Sequence, residues 1–139
     1  MMNKRKILVL ILVALSIGLA SVSCCPGGEE SVLIQGAVTI GPIQPVETPG
    51  SNQNVPPEVF SSRHLVVYDE SGKRLVREVY FTQIGTGNTG YYTAQIAPGT
   101  YVVDINHTGI DRADGLPRTV TVVSDETITI DVNIDTGIR

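Results

Sequence analysis

Thr127-Ile128-Thr129-Ile130-Asp131-Val132-Asn133-Ile134 alternates polar and apolar residues without a break. In an extended chain successive side chains point to opposite faces. Ile128, Ile130, Val132 and Ile134 therefore share an apolar face, and Thr127, Thr129, Asp131 and Asn133 a polar one. That is the pattern of a strand with one side in a core and the other in water. The same period runs back through the chain. Val32, Ile34, Val38 and Ile40 oppose Gln35 and Thr39; Tyr92, Ala94 and Ile96 oppose Tyr91, Thr93 and Gln95; Tyr101, Val103 and Ile105 oppose Val102, Asp104 and Asn106. Residues 65–68, 75–82 and 119–123 read as three more strands, the first two joined by the turn Asp69-Glu70-Ser71-Gly72-Lys73. Ala97-Pro98-Gly99-Thr100 reads as a type II turn, with Pro presetting φ and Gly accepting a positive one.

No segment beyond residue 31 repeats at a helical period. Seven short strands with regular turn signals predict an all-β domain: a seven-stranded antiparallel Greek-key β-sandwich, two sheets packed face to face. A closed barrel is the alternative. Two connections are long. Residues 41–63 hold Pro42, Pro45, Pro49, Pro56 and Pro57 around the polar run Gly50-Ser51-Asn52-Gln53-Asn54, and residues 107–117 hold His107, Asp111 and Asp114. Loops of such length in a compact domain are usually functional or disordered. Val55, Val59 and Phe60 are the expected partner contacts of the first loop; the competing reading is that they staple it to the sandwich.

The N-terminus carries an address. Lys4-Arg5-Lys6 precedes the uncharged residues 7–20, then the small residues Ala20-Ser21-Val22-Ser23 and the pair Cys24-Cys25. This is the layout of an export signal. As a helix the uncharged stretch reaches about 21 Å, short of the roughly 20 apolar residues that a spanning helix needs. Ser21-Val22-Ser23-Cys24 resembles the lipobox of bacterial lipoproteins, with Ser21 where Leu is usual, so Cys24 is the expected lipidation site. Cys25 offers a second register. Ordinary secretion after cleavage and an uncleaved anchor are the alternatives. No other cysteine exists in the chain, and a bridge between neighbours is a strained ring. The expected organisation is a signal-peptide helix at 1–23, a flexible tether at 24–31 and the sandwich at 32–139. That length builds a core without disulfides.

The chain has ten basic and fourteen acidic residues. Cleavage removes Lys4, Arg5 and Lys6 and leaves seven basic residues, of which Lys73 is the only lysine. An acidic surface does not suit nucleic acid, whose phosphates need Lys and Arg.

Gly36-x-Val38 in the first strand, Ala97-Pro98-Gly99-Thr100-Tyr101 leading into an alternating strand, residues 120–123 and the Thr/Ile-rich last strand resemble the carboxypeptidase regulatory-like family, which has a prealbumin-like (transthyretin-like) sandwich. The resemblance covers residues 32–135, and Pro98-Gly99-x-Tyr101 is its most specific piece. Gly41-Pro42-x-x-Pro45-Val46 and Asp135-Thr136-Gly137-Ile138-Arg139 are similar to the ends of small exported bacterial members. One segment departs: Thr86-Gly87-Asn88-Thr89-Gly90-Tyr91-Tyr92 lacks the Asp that the family often has there. The resemblance implies a non-catalytic accessory module, with Tyr101 anchoring a corner through its hydroxyl.

Catalytic and metal constellations are sparse. Asp135-Thr136-Gly137 spells an aspartic-protease triplet, but that chemistry needs two such carboxylates sharing a proton. His64 and His107 are the only histidines, below the three or four convergent ligands of a zinc site unless Asp111 and Asp114 join. Calcium on Asp111 and Asp114 matches no EF-hand spacing. Ser61, Ser62, His64 and Asp69 supply the members of a triad without a nucleophile-elbow pattern. Asn133 has no early lysine to join in an isopeptide bond. Asn106-His107-Thr108 has the form of a glycosylation triplet. No cofactor, catalytic residue or metal site is expected. The expected function is a membrane-tethered extracytoplasmic module that binds another envelope protein or an extracellular polymer, or gives structural support in the bacterial envelope. The alternative is a small-molecule or calcium binder using loops 41–63 and 107–117.

Overall fold

The computed structural model describes residues 30–45 and 54–138. The expected signal peptide, Cys24 and most of the tether lie outside the described residues. Among the described residues no helix is long and apolar enough to cross a membrane.

The chain forms β1 (Val32–Gly41), α1 (Glu58–Ser61), β2 (His64–Asp69), β3 (Leu75–Tyr80), β4 (Thr82–Gln83), β5 (Thr89–Ile96), β6 (Gly99–Ile105), β7 (Arg112–Ala113), β8 (Arg118–Val122), β9 (Ile128–Thr129) and β10 (Val132–Asp135). They make two open sheets and no barrel. The first runs β4-β5-β1-β10-β7, with β9 also beside β1; the second runs β3-β2-β6-β8. The architecture is all-β, as the alternation predicts.

Three details differ from the pattern. The expected third strand breaks at Phe81: β3 stays in the second sheet, and β4 has crossed to the first. Phe81 is buried at the crossing, which explains why the apolar period continues through the break. A short strand, β7, lies inside the expected 107–117 loop, where Ala113 pairs with Ile134. And the sheets are not wholly antiparallel. β1 runs parallel to β9 and β10, with Ile34 opposite Ile128, Val38 opposite Val132 and Ile40 opposite Ile134. Parallel partners need a long crossover, and here the whole second sheet lies between them in sequence. One helical turn, α1, also interrupts the expected helix-free chain.

The core is the inward face of both sheets: Val32, Ile34, Val38 and Ile40 of β1 against Leu65 and Val67 of β2 and Val103 and Ile105 of β6. Burying each such side chain stabilises the fold by about 1.5–3 kcal/mol. In the last strand Ile130, Val132 and Ile134 are buried, and Thr129, Asp131 and Asn133 are exposed. The β2–β3 turn is held by Asp69, whose carboxylate accepts from Ser71 Oγ at 2.6 Å, and by Gly72, whose φ of 69° suits a residue without Cβ. Where β5 turns into β6, Tyr101 Oη donates to the Ala97 carbonyl at 2.9 Å.

The break between β9 and β10 has a structural cause. Ile130 N–H still donates to the Gln35 carbonyl at 2.9 Å. Its own carbonyl, however, accepts from Tyr92 Oη at 2.6 Å inside the core. Ala37 N–H then bonds to the Asp131 carboxylate at 2.9 Å, so the backbone donor next to the exchange keeps a partner. Gly36 lies where this happens. A Cβ there would stand 2.0 Å from the Ile130 carbonyl oxygen.

Candidate functional site

Val55 and Phe60 are core residues, 2% and 1% exposed, and Val59 packs against the same core. Buried side chains offer nothing to a partner, so the expected contact role of Val55 and Phe60 is corrected: they staple the loop, and half-buried Val59 packs beside them. Phe60 sits on Gly90, where a Cβ would approach the Phe60 ring to 2.6 Å. Val55 N–H donates to the Thr86 carbonyl at 2.8 Å, and Gln83 Nε2 reaches both the Val55 and the Gly87 carbonyls. Residues 54–63 are thus bound down onto the β4–β5 turn.

The second long connection is also tied in. Asp111, with 3% of its side chain exposed, meets Arg63 in a two-pronged pair: Nε to Oδ2 at 2.6 Å and Nη2 to Oδ1 at 3.2 Å. Arg63 Nη1 also donates to the Val59 carbonyl at 2.9 Å. His107, in the left-handed region at φ 39°, points Nδ1 at the Asp111 carbonyl (3.2 Å) and Nε2 at the Asp104 carboxylate (3.0 Å). Its pKa is raised, first by the bond to the Asp111 carbonyl and then by Asp104. Asn106 accepts from His64 N–H and donates to the Ser62 carbonyl. Both carboxylate oxygens of Asp111 face a guanidinium. Asp114 instead meets Asn133 Nδ2 at 3.5 Å, so the two aspartates do not converge on one ligand. The candidate triad members are each bonded to other groups. Ser61 and Ser62 hydroxyls bond to α1 and neighbouring carbonyls, His64 stacks on Tyr80 beside Glu78, and Asp69 holds its own turn.

The two outer faces of the sandwich differ in chemistry. The second sheet's face carries Glu78, 3.5 Å from His64, and Asp104, which pairs with His107 from the loop after β6, among uncharged residues such as Tyr68, Val102 and Thr119. On the first sheet, β5, β1 and β9 turn uncharged rows outward, whereas β10 and β7 carry Asp135 and Arg112 opposite each other. In register across β5 and β1 stand Thr89 with Thr39, Tyr91 with Ala37, Thr93 with Gln35, and Gln95 with Leu33; Gln35 continues to Thr129 on β9. Of the outward residues of β1, β5 and β9, none is ionisable except the Tyr91 phenol. Asp131, in the gap between β9 and β10, places a carboxylate at the edge of these rows, and it is held by Ala37 N–H. A shallow depression of about 330 Å³ crosses this face from Ile84 and Tyr91 over Ala37 to Thr129 and Asp131. Ile84 and Tyr91 are large and exposed, Tyr91 at 45%. A depression of about 400 Å³ also opens between β3 and the end of β5, but Arg77 crosses there to donate to the Gln95 carbonyl at 2.6 Å.

Sequence reading places Gln35, Thr39, Tyr91, Thr93, Gln95 and Thr129 on polar strand faces without singling them out. Their signal is the absence of charge at nearly every polar position of three strands that turn out to be neighbours. The Arg63–Asp111 pair has no local signal, because the two residues meet only when both long loops fold over one end of the sandwich.

No protein-family model matches the chain, and no curated protein matches it either.

Proposed function

We propose that this chain is a non-catalytic binding module, lipid-anchored through Cys24 on the outer side of a bacterial membrane, that offers one sheet face to an envelope protein or an extracellular polymer. The observation that carries this reading is the uncharged outer face of β5, β1 and β9, with Tyr91 exposed on β5. The polar groups at the end of the sandwich are instead spent on one another, Asp111 on Arg63 and His107 on Asp104. A free face and a self-paired end favour a surface that binds over a site that reacts. Calcium or small-molecule binding by the two loops is the weaker reading, since a ligand at Asp111 has to displace Arg63.

The fold reading that accompanies this function is the prealbumin-like, carboxypeptidase regulatory-like sandwich. It takes β1, β2, β3, β5, β6, β8 and the joined β9–β10 as seven principal strands in Greek-key order. Its support is the sheet order, in which β5 returns from the second sheet to pair with β1 and the last strand returns to the other side of β1. The tether then enters the first sheet at its central strand.

Two measurements test the function. Cell fractionation is expected to find the protein with membranes, and Cys24→Ala to release it or leave the signal uncut; a wild-type protein that is wholly soluble overturns the anchoring. A photo-crosslinking residue at Thr93 is expected to capture an envelope component that the same residue at Tyr80, on the second sheet, does not. Equal labelling from both positions overturns the assignment of the face.

A further inference from the structure

We propose that the outer face of the first sheet binds a neutral polysaccharide, with a sugar ring stacked on Tyr91 and its hydroxyls bonded by the flanking Thr and Gln side chains. This rests on the binding-module reading above and names the ligand class of that face.

Charge narrows the ligand. Removal of the signal leaves a protein with seven basic residues against fourteen acidic ones. Asp69, Glu78 and Asp104 stand on the second sheet, Asp135 on β10 and the other described carboxylates outside the strands, whereas β1, β5 and β9 turn none outward. An anionic polymer finds no counter-charge among these rows, and the one carboxylate at the edge of the depression, Asp131, has an oxygen already on Ala37 N–H. A protein partner wants an apolar, aromatic-rich interface core; around Tyr91 the rows hold Thr39, Thr89, Thr93 and Gln35. Hydroxyls and amides both donate and accept, which is what a dense array of neutral hydroxyls requires of its binder.

Shape points the same way. Ala37 stands opposite Tyr91 in register and presents only a methyl group, so no large cross-strand neighbour covers the ring. Phe81 and Tyr92, which do pair as rings at 6.0 Å, lie in the core. An exposed aromatic face takes the C–H face of a sugar, and the amphipathic ring brings contact area at little entropic cost. The depression is open and crosses three strands, about 10 Å at the usual strand spacing. An open surface of that span suits a stretch of a long chain better than a small molecule enclosed on all sides.

The test is native affinity electrophoresis of the full chain in detergent through gels that contain dextran, a β-1,3-glucan, mannan, xyloglucan or, as the charged arm, alginate. Retardation by at least one neutral polymer and none by alginate is expected. Tyr91→Ala should weaken that retardation at least tenfold, and Thr93→Asp should weaken it as well, with melting temperatures close to wild type because both positions are exposed. Tyr80→Ala, on the opposite face, should leave it unchanged. The proposal falls if no neutral polymer retards the protein, if alginate alone does, or if Tyr91→Ala retains full binding. If retardation is absent but the Thr93 crosslink still captures an envelope protein, the binding module stands and its ligand is a protein. If both fail, the binding face itself is wrong.

Discussion

Tyr92 Oη donates to the main-chain carbonyl of Ile130 at 2.6 Å, from the middle of β5 over Gly36 of β1 to the gap between β9 and β10. Burial first, and then the Asp131 carboxylate, hold the Tyr92 phenol far above its ordinary pKa, so it stays a donor. The bond needs a carbonyl that faces inward, and Gly36 makes room for that carbonyl. Gly36→Ala brings a Cβ to 2.0 Å from the oxygen and is expected to cost about 3 kcal/mol, the upper end for overpacking a core. Tyr92→Phe leaves the carbonyl buried without its partner and should cost about 1–3 kcal/mol. Both act on one peptide group, so the double variant should lose less than the two single losses combined. Urea denaturation of the three variants reads this directly. Strict additivity would mean that Gly36 and Tyr92 do not share a constraint.

Arg63 and Asp111 join the ends of the two long connections, with side chains 14% and 3% exposed. Removing one partner of such a pair leaves an uncompensated charge in a poorly solvated place, a loss of roughly 3–5 kcal/mol for fully buried pairs and less here because Arg63 is partly open. Asp111→Ala should therefore destabilise by about 2–4 kcal/mol. Adding Arg63→Met should recover part of the loss, since a neutral stem needs no counter-charge. A double variant no more stable than Asp111→Ala would show that Arg63 acts through its bond to the Val59 carbonyl instead.

The architecture was legible because alternation is a local signal. β1, β5, β8 and the last strand keep period two, and the buried residues of the last strand, Ile130, Val132 and Ile134, are the ones the pattern assigns to the core; β2, which buries Leu65, Val66 and Val67 in a row, does not keep it. Strand direction was not legible. Nothing in Ile34 or Ile128 says that their strands run parallel, because direction depends on where the chain has travelled between them. Loop 41–63 was left open between partner contact and staple for a related reason. Polar and Pro-rich composition describes a surface segment, yet three apolar residues suffice to dock its end, and the seat for Phe60 is made by Gly90, thirty positions away. The uncharged face was visible strand by strand, but only the sheet order brings its rows together.

His107 makes the end network sensitive to pH. Both of its ring partners, the Asp111 carbonyl and the Asp104 carboxylate, only accept, so the doubly protonated ring satisfies both. The folded-state pKa is raised above the ordinary 6.5. The imidazolium therefore stabilises the fold fully below pH 6.5, and that contribution fades as pH rises through the folded-state value. The ring is about half exposed, so the effect is screened and small. Melting temperature measured from pH 5.5 to 8.5 should fall more steeply for wild type than for His107→Asn, a residue that tolerates the left-handed backbone. Parallel profiles for the two proteins would assign the slope to other groups.

Phe60 decides between a docked loop and a free one. Its ring is 1% exposed, and a Cβ added at Gly90 would meet both that ring and the Thr82 carbonyl, each at 2.6 Å. Two substitutions probe the same contact from opposite sides. Phe60→Ala opens a cavity and should cost about 3–5 kcal/mol. Gly90→Ala forces the ring out or the β4–β5 pairing apart and should cost about 1–3 kcal/mol. In the Phe60→Ala background, where the ring is gone, the added methyl has only Thr82 left to meet, so its penalty should shrink. Hydrogen exchange gives a second reading: the Val55 amide, bonded to the Thr86 carbonyl at 2.8 Å, should lose protection in Phe60→Ala while amides in the centre of β2 keep theirs. An unchanged denaturation midpoint in Phe60→Ala, with Val55 still protected, would mean that the main-chain bonds alone hold the segment and that the aromatic ring contributes nothing to its docking.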